Sequence, residues 1–167
     1  LPVDDGIAAC ITGYTQATNM LSMKLGHERS RNPSRGLPTT NSWIAAFDPQ
    51  TGELLMLCDG TLPTMYRTAA AAAVGAKHLA RDDAATLAVI GAGQLGRQCV
   101  RAVSSVREFQ KVLVHDSVDE AAQRVAEDLA TQITMPIECT DAQTACQQAD
   151  VIVTATNSRA PIVHADW

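Results

Sequence analysis

The sequence predicts an α/β protein: a parallel sheet covered by helices, preceded by a smaller α+β region. Three observations predict it. From Thr86 onward, short apolar runs alternate with helix-patterned stretches in the order βαβαβαβ, the alternation that buries a parallel sheet between helices. The first run, Leu87–Ile90, leads straight into Gly91-Ala92-Gly93-Gln94-Leu95-Gly96. The second run, Val112–His115, ends at Asp116, 20 residues beyond Gly96.

Strand, glycine turn, helix, strand and terminal acid in this order form the dinucleotide-binding fingerprint of a Rossmann-type sheet. Each glycine has a separate task. Gly91 permits the tight turn, Gly93 lets the backbone approach a pyrophosphate, and Gly96 lets the helix pack closely on the strand. Gln94 and Leu95 open that helix, whose first N–H groups and positive dipole end favour phosphate. Asp116 is placed to accept hydrogen bonds from an adenosine ribose. A carboxylate there accepts from a free 2′-hydroxyl and repels a 2′-phosphate, and no arginine follows before Arg124. The residues therefore favour NAD over NADP.

The remaining elements follow in chain order. Met20–Leu25 is a short strand, and His27–Pro38 reads as a polar loop with three arginines. Ser42–Phe47 and Glu53–Cys58 are apolar runs around the turn cluster Asp48-Pro49-Gln50-Thr51-Gly52, which makes a β-hairpin. A helix spans about Leu62–Arg81, with Pro63 in its first turn and alanines at 69–73. Asp82-Asp83 closes it, which sets the expected boundary between a first region, 1–83, and a nucleotide-binding region, 84–167. In the second region a helix runs from Gln94 to about Arg107. Ser117-Val118-Asp119-Glu120 reads as a capping box opening a helix to about Ile133. Pro136–Cys139 is a strand. Thr140-Asp141-Ala142-Gln143 is a second capping box, for a helix to Ala149, and Val151–Thr154 is the next strand.

Composition narrows the function. The chain has 167 residues, 46% of them hydrophobic but only 4% aromatic, so its core is built from Ala, Val, Leu, Ile and Met. A net charge of −5 argues against a nucleic-acid surface, which needs clustered Lys and Arg. No apolar run reaches the roughly 18 residues of a membrane span. The five cysteines have no metal or disulfide spacing and read as reduced, mostly buried thiols of a cytoplasmic protein. His27, His78, His115 and His164 share no ligand spacing, so no metal is expected. The chain starts at Leu1 rather than Met and stops just after a strand of an unfinished sheet, which suggests a fragment of a longer protein.

Several blocks together resemble the ornithine cyclodeaminase/μ-crystallin family. They are Met23-Lys24, Asn32–Thr39, Phe47–Glu53, Arg67-Thr68-Ala69-Ala70, Ile90–Gly93 and Ala149–Thr156. The resemblance runs from about residue 20 to the end. It departs at the glycine turn, where the family more often reads GAGxQA and this chain reads GAGQLG. Members of this family use NAD or NADP on amino acids or cyclic imino acids, as cyclodeaminases, ketimine reductases, alanine dehydrogenases or opine-type dehydrogenases. The resemblance implies that Lys24 and Arg67 hold the substrate carboxylate. It puts Thr39, Arg67 and Thr68 near the cofactor, and Thr154, Ala155 and Thr156 on the nicotinamide side. It places the catalytic aspartate beyond Trp167 and a further substrate arginine before Leu1. It also implies a homodimer formed through the N-terminal region.

By residue type alone, Lys24 on a short apolar strand would ordinarily be a solvent-facing charge, and Arg67 either a surface salt bridge or a bidentate carboxylate grip. The resemblance tips both toward substrate. They can converge only if the N-terminal layer faces the C-terminal edge of the parallel sheet. The implied activity is that of an ornithine cyclodeaminase. The alternatives are a ketimine reductase, alanine dehydrogenase or opine-type dehydrogenase, or a non-catalytic nucleotide binder of crystallin type.

Overall fold

The computed structural model describes residues 1–167 as two compact units, Leu1–Thr64 and Met65–Trp167. The first is a five-stranded antiparallel meander in the order β1-β2-β3-β4-β5: β1 (Pro2–Val3), β2 (Gly6–Thr15), β3 (Met20–Arg29), β4 (Thr40–Phe47) and β5 (Leu54–Asp59). The β4–β5 hairpin is the predicted one, and it lies in this sheet, separate from the parallel one. Its turn follows from Asp48, whose carboxylate accepts the N–H groups of Gln50 (2.7 Å) and Thr51 (2.9 Å), and from Gly52 at φ 74°. Those two backbone bonds hold the Asp48 carboxyl below its ordinary value.

Two expectations for this region change. β3 continues to Arg29, so His27–Arg29 are strand rather than loop. His27 and Glu28 pair with β2 on one side and β4 on the other, and these backbone ladders need no apolar pattern. β2 carries no alternating apolar pattern and was not anticipated as a strand. One sheet face, carrying Cys10, Met23, Leu25, Trp43 and Leu57, leaves these side chains exposed; Trp43 is 52% exposed and Leu57 60%. On the other face Ser42 and Ala46 are buried, and the Ser42 and Thr64 hydroxyls share a hydrogen bond of 3.1 Å.

Helix α1 (Thr61–Leu79) begins in the first unit. The division falls near its start, N-terminal to the expected boundary at 83/84, because Ala73 and Ala76 pack in the core of the second unit. The second unit then follows the predicted alternation: β6 (Thr86–Ile90), α2 (Gln94–Ser104), β7 (Lys111–His115), α3 (Asp119–Leu129), β8 (Ile137–Cys139), α4 (Ala142–Gln148) and β9 (Val151–Thr154). The strands form a parallel sheet in the order β8-β7-β6-β9. Period-two alternation splits β6 between two cores. Leu87 and Val89 pack with Val100, Val103, Val125 and Leu129 of α2 and α3, whereas Ala88 and Ile90 pack with Leu113 and with Ala145 and Cys146 of α4. Each fully buried Leu or Val contributes about 1.5–3 kcal/mol.

Both capping boxes are corrected. At α3 the Ncap is Val118 with no side-chain cap, because the neighbouring Asp116 carboxylate takes the Val118 N–H and the Ser117 hydroxyl donates to that same carboxylate. At α4 the cap is Asp141 rather than Thr140. Its carboxylate accepts the Thr144 hydroxyl (2.6 Å) and N–H (2.8 Å), which in that order lower its pKa. The cysteines are also less buried than expected. Only Cys99 and Cys146 are buried, while Cys10 sits on the uncovered sheet face and Cys139 on the edge strand β8. All five are free thiols. No helix is long and apolar enough to cross a membrane.

Two polar clusters tie the second unit together away from the glycine turn. Arg107 donates to three carbonyls at the end of α1, those of Ala76 (3.0 Å), Ala80 (2.7 Å) and Arg81 (2.7 Å). The Ala80 carbonyl takes its donor from Arg107, whereas those of Ala76 and Arg81 also accept the N–H groups of Ala80 (3.3 Å) and Ala84 (3.2 Å). Asp150, just before β9, accepts the N–H groups of Ala85 (2.8 Å) and Thr86 (3.0 Å) and meets Arg81 at 2.5 Å. These bonds, the backbone ones foremost, hold its carboxyl below the usual range.

Candidate dinucleotide and substrate site

The C-terminal edge of the parallel sheet is where three loops meet. β6 ends at Ile90, and the Ala155 N–H donates to the Ile90 carbonyl (2.8 Å) while the Gly91 N–H donates to the His115 carbonyl (2.7 Å). The loop after β6 is thereby bound to those after β9 and β7. Gly91 stands at φ 105°, and a Cβ on it would overlap the Ala155 carbonyl and come within 2.8 Å of the Thr156 methyl. Only glycine satisfies both conditions. A Cβ on Gly96 would overlap the Gly91 carbonyl oxygen, which is how closely α2 approaches the turn. Around Gly93, by contrast, a Cβ would meet nothing within 4 Å. Gly93 is exposed and is the Ncap of α2, and it brings no side chain to take the N–H groups of the first turn. The three glycines thus hold the three positions the sequence predicted: strained turn, open approach and close packing.

Asp116 does more than the sequence suggested. One carboxylate oxygen accepts the Ala92 N–H at 2.7 Å, inside the glycine turn, and the other accepts the Val118 N–H at 3.0 Å. The acid therefore pins the turn to the start of α3. The oxygen bound to Ala92 keeps a further lone pair for an incoming hydroxyl, whereas the other also accepts the Ser117 hydroxyl. Beside it, the His115 ring Nδ1 lies 3.0 Å from the Thr140 carbonyl, a contact that ties β7 to the loop after β8.

Thr154 ends β9 opposite Ile90 in register, and Ala155 and Thr156 continue against Gly91. The structure therefore brings together Gly91, Gly93, Gln94, Leu95, Gly96, Asp116, Thr154, Ala155 and Thr156. A glycine cradle open at Gly93, an uncapped helix start and an adjacent carboxylate fit the pyrophosphate and ribose of a dinucleotide.

The other predicted residues divide between the units. Lys24 lies on β3, flanked in register by Ile11 and Ile44, on the same face as the buried Ser42. Thr39 precedes β4, and its carbonyl accepts the Arg29 N–H at 2.8 Å. Arg67 and Thr68 are on α1 in the second unit, Arg67 exposed and Thr68 half-buried. The sequence reading missed Gly26, which lies beneath the Lys24 side chain; only the strand register reveals it. No group of three or more His, Cys, Asp or Glu side chains is placed to hold a metal ion.

Known proteins resemble this chain in sequence and in fold. The chain is 33% identical over 156 residues to a Delta(1)-pyrroline-2-carboxylate reductase from Bacillus thuringiensis subsp. konkukian, covering 93% of this chain and 48% of the relative. It is 37% identical over 121 residues to an L-lysine cyclodeaminase from Streptomyces rapamycinicus, covering 72% of this chain and 35% of that one. Among solved structures, it is similar to the Delta(1)-pyrroline-2-carboxylate reductase of Thermococcus litoralis in complex with NADH and L-proline. The TM-score is 0.83 at 30% identity, over 95% of this chain and 54% of that chain. The chain spans about half the length, or less, of these relatives. Residues 3–167 match the pattern shared by ornithine cyclodeaminases and mu-crystallin, and the chain belongs to the ornithine cyclodeaminase/mu-crystallin family.

Proposed function

We propose that the full-length protein is an NAD-dependent reductase of a cyclic imino acid, with Δ1-pyrroline-2-carboxylate as the substrate type. The observation that carries this reading is the glycine cradle at Gly91–Gly96 beside Asp116 and Ala155-Thr156, in a chain 30–33% identical to reductases of that imino acid. When bound, the nicotinamide supplies a hydride, which with one proton converts C=N to CH–NH. The chain's own residues bind and orient. The N–H groups at the start of α2 face the pyrophosphate, with Gly93 leaving the approach clear. Asp116 accepts from the ribose hydroxyls and disfavours a 2′-phosphate, so NAD is preferred over NADP. Thr39, Arg67 and Thr68 flank the cofactor, and Thr154, Ala155 and Thr156 line its nicotinamide side. Lys24 and Arg67 hold the substrate carboxylate as two cations, which orients the imine carbon.

A second reading, redox-neutral cyclodeamination of ornithine or lysine, is favoured by the 37% identity to the lysine cyclodeaminase. Both readings place the protein in amino-acid metabolism. The test is parallel assay of the full-length protein: NADH consumption with Δ1-pyrroline-2-carboxylate, and ammonia release from ornithine and from lysine with NAD. NADH consumption without ammonia release supports the reductase; the reverse result replaces it with the cyclodeaminase. We further propose a homodimer through the exposed face bearing Leu25, Trp43 and Leu57, since that much apolar surface favours burial. Sedimentation of full-length Trp43→Glu as a monomer, against a dimeric parent, is the expected result.

A further inference from the structure

Gly26 sits in the middle of a ten-residue strand, where glycine is unfavourable because it packs nothing and costs backbone entropy. Its backbone does not require glycine: the positive-φ glycines are Gly36, Gly52 and Gly91. Its surroundings supply the reason. Lys24 and Gly26 share a face of β3, and the Lys24 Cε lies 3.6 Å from the place a Gly26 Cβ would occupy. The Ser42 Cβ stands 3.6 Å from the same point, across the ladder. Ser42 is 1% exposed and its hydroxyl is bonded to that of Thr64, so it has no room to yield. Within its own row Lys24 has Ile11 on one side and Ile44 on the other. The lysine stem accordingly runs along the strand and lies over the bare glycine.

We infer that Gly26 is a positioning residue for the carboxylate anchor: its missing side chain forms the bed that directs the Lys24 ammonium. This rests on the proposal that Lys24 binds the substrate carboxylate. An alanine methyl at 26 would meet Cε and Ser42 at ordinary van der Waals distance. The two γ-carbons of a valine would fill the bed and force the lysine into another rotamer, carrying the ammonium away from its place. The dependence on side-chain size, and its loss when the lysine is gone, distinguish this role from a simple structural one.

The experiment measures KM and kcat for Δ1-pyrroline-2-carboxylate reduction by NADH in full-length parent, Gly26→Ala, Gly26→Val, Lys24→Met and the Lys24→Met/Gly26→Val double variant, with NADH affinity alongside. Gly26→Ala is expected to stay close to the parent. Gly26→Val is expected to raise KM about tenfold or more with NADH affinity unchanged, and to add nothing in the Lys24→Met background. Parental KM in Gly26→Val beside a severely impaired Lys24→Met overturns the inference and leaves the anchor reading standing. An equal Gly26→Val effect with and without the lysine also overturns it, as a structural effect. Parental kinetics in Lys24→Met overturn the anchor reading and the inference with it. Should Gly26→Val fail to fold, Gly26→Cys methylthiolated after folding enlarges the side chain instead, with the parent treated identically to account for the native cysteines.

Discussion

Replacing Asp116 by alanine removes the acceptor of two backbone N–H groups before any cofactor is considered. The bond to Ala92 is partly buried and the one to Val118 is exposed. A hydrogen bond to a charged group contributes about 1.5–3 kcal/mol when shielded, and an exposed one, readily replaced by water, about 0.5 kcal/mol. Asp116→Ala should therefore lower the unfolding free energy of the full-length protein by about 2–3 kcal/mol, measured by urea denaturation without nucleotide. NADH affinity should fall by more than one ribose contact explains, because the released Ala92 N–H loosens the turn proposed to receive the pyrophosphate. Discrimination against NADPH should relax, yet NADPH should not reach parental NADH affinity. Asp116→Asn sharpens the comparison. It keeps one acceptor oxygen but turns an NH₂ toward one of the two N–H groups, so it should be nearly as destabilising as alanine. Parental stability in both variants would refute the role of Asp116 in holding the turn. A variant as tight for NADPH as the parent is for NADH would show that the acid acts on the ribose alone.

Gly96→Ala places a methyl onto the Gly91 carbonyl and should destabilise the unliganded protein by about 1–3 kcal/mol, whereas Gly93→Ala, in open space, should leave stability unchanged and weaken NADH binding; equal melting of the two variants would contradict this. Arg107→Ala removes the side-chain donor of the Ala76, Ala80 and Arg81 carbonyls, of which Ala76 and Arg81 keep a backbone donor, and should cost about 1–3 kcal/mol in denaturant unfolding, with Arg107→Lys recovering only part because an ammonium cannot match the fork. The Asp150 carboxyl titrates below its ordinary 3.8, so it contributes stability that is complete above 3.8 and is lost as pH falls through the lower native value. Asp150→Asn should therefore be less stable than the parent near neutral pH and should converge with it under acid, which urea midpoints across that range will show.

The second unit was legible because its signals are redundant. Leu87–Ile90 and Val112–Val114 are buried on both faces and read as unbroken apolar runs, and α2 shows a one-sided stripe. Gly91 and Gly96 meet the steric demands read for them, and Gly93 stands in open space. The first unit was less legible. β2 is mostly exposed, and the second half of β3 is polar, so strand pairing alone defines them. The α3 cap failed for a local reason: Ser117 had the correct spacing, but the carboxylate beside it is the stronger acceptor. Gly26 and Arg107 act through partners on other elements, which no local pattern encodes.

The internal bonds of the glycine turn bear on how one scaffold can serve both reduction and cyclodeamination. The turn is held by the Asp116 carboxylate, the His115 carbonyl and the approach of Ala155, all of them contacts within the protein. A dinucleotide arriving there need not order the loop, so its binding energy is not consumed in doing so. On the proposed reading, the cradle can receive the cofactor whatever stands next to the nicotinamide. Discrimination between a cyclic imine and a diamino acid falls to residues outside it. Of the proposed carboxylate holders, Lys24 belongs to the first unit, on a sheet where its stem lies over the bare Gly26. Bulky substitutions at 26, such as Gly26→Val, should thus change substrate preference while leaving NADH affinity as it was, and substitutions at 93, 96 and 116 should do the reverse. A Gly26 variant that altered NADH affinity as strongly as substrate KM would show that the two tasks are not separable in this way.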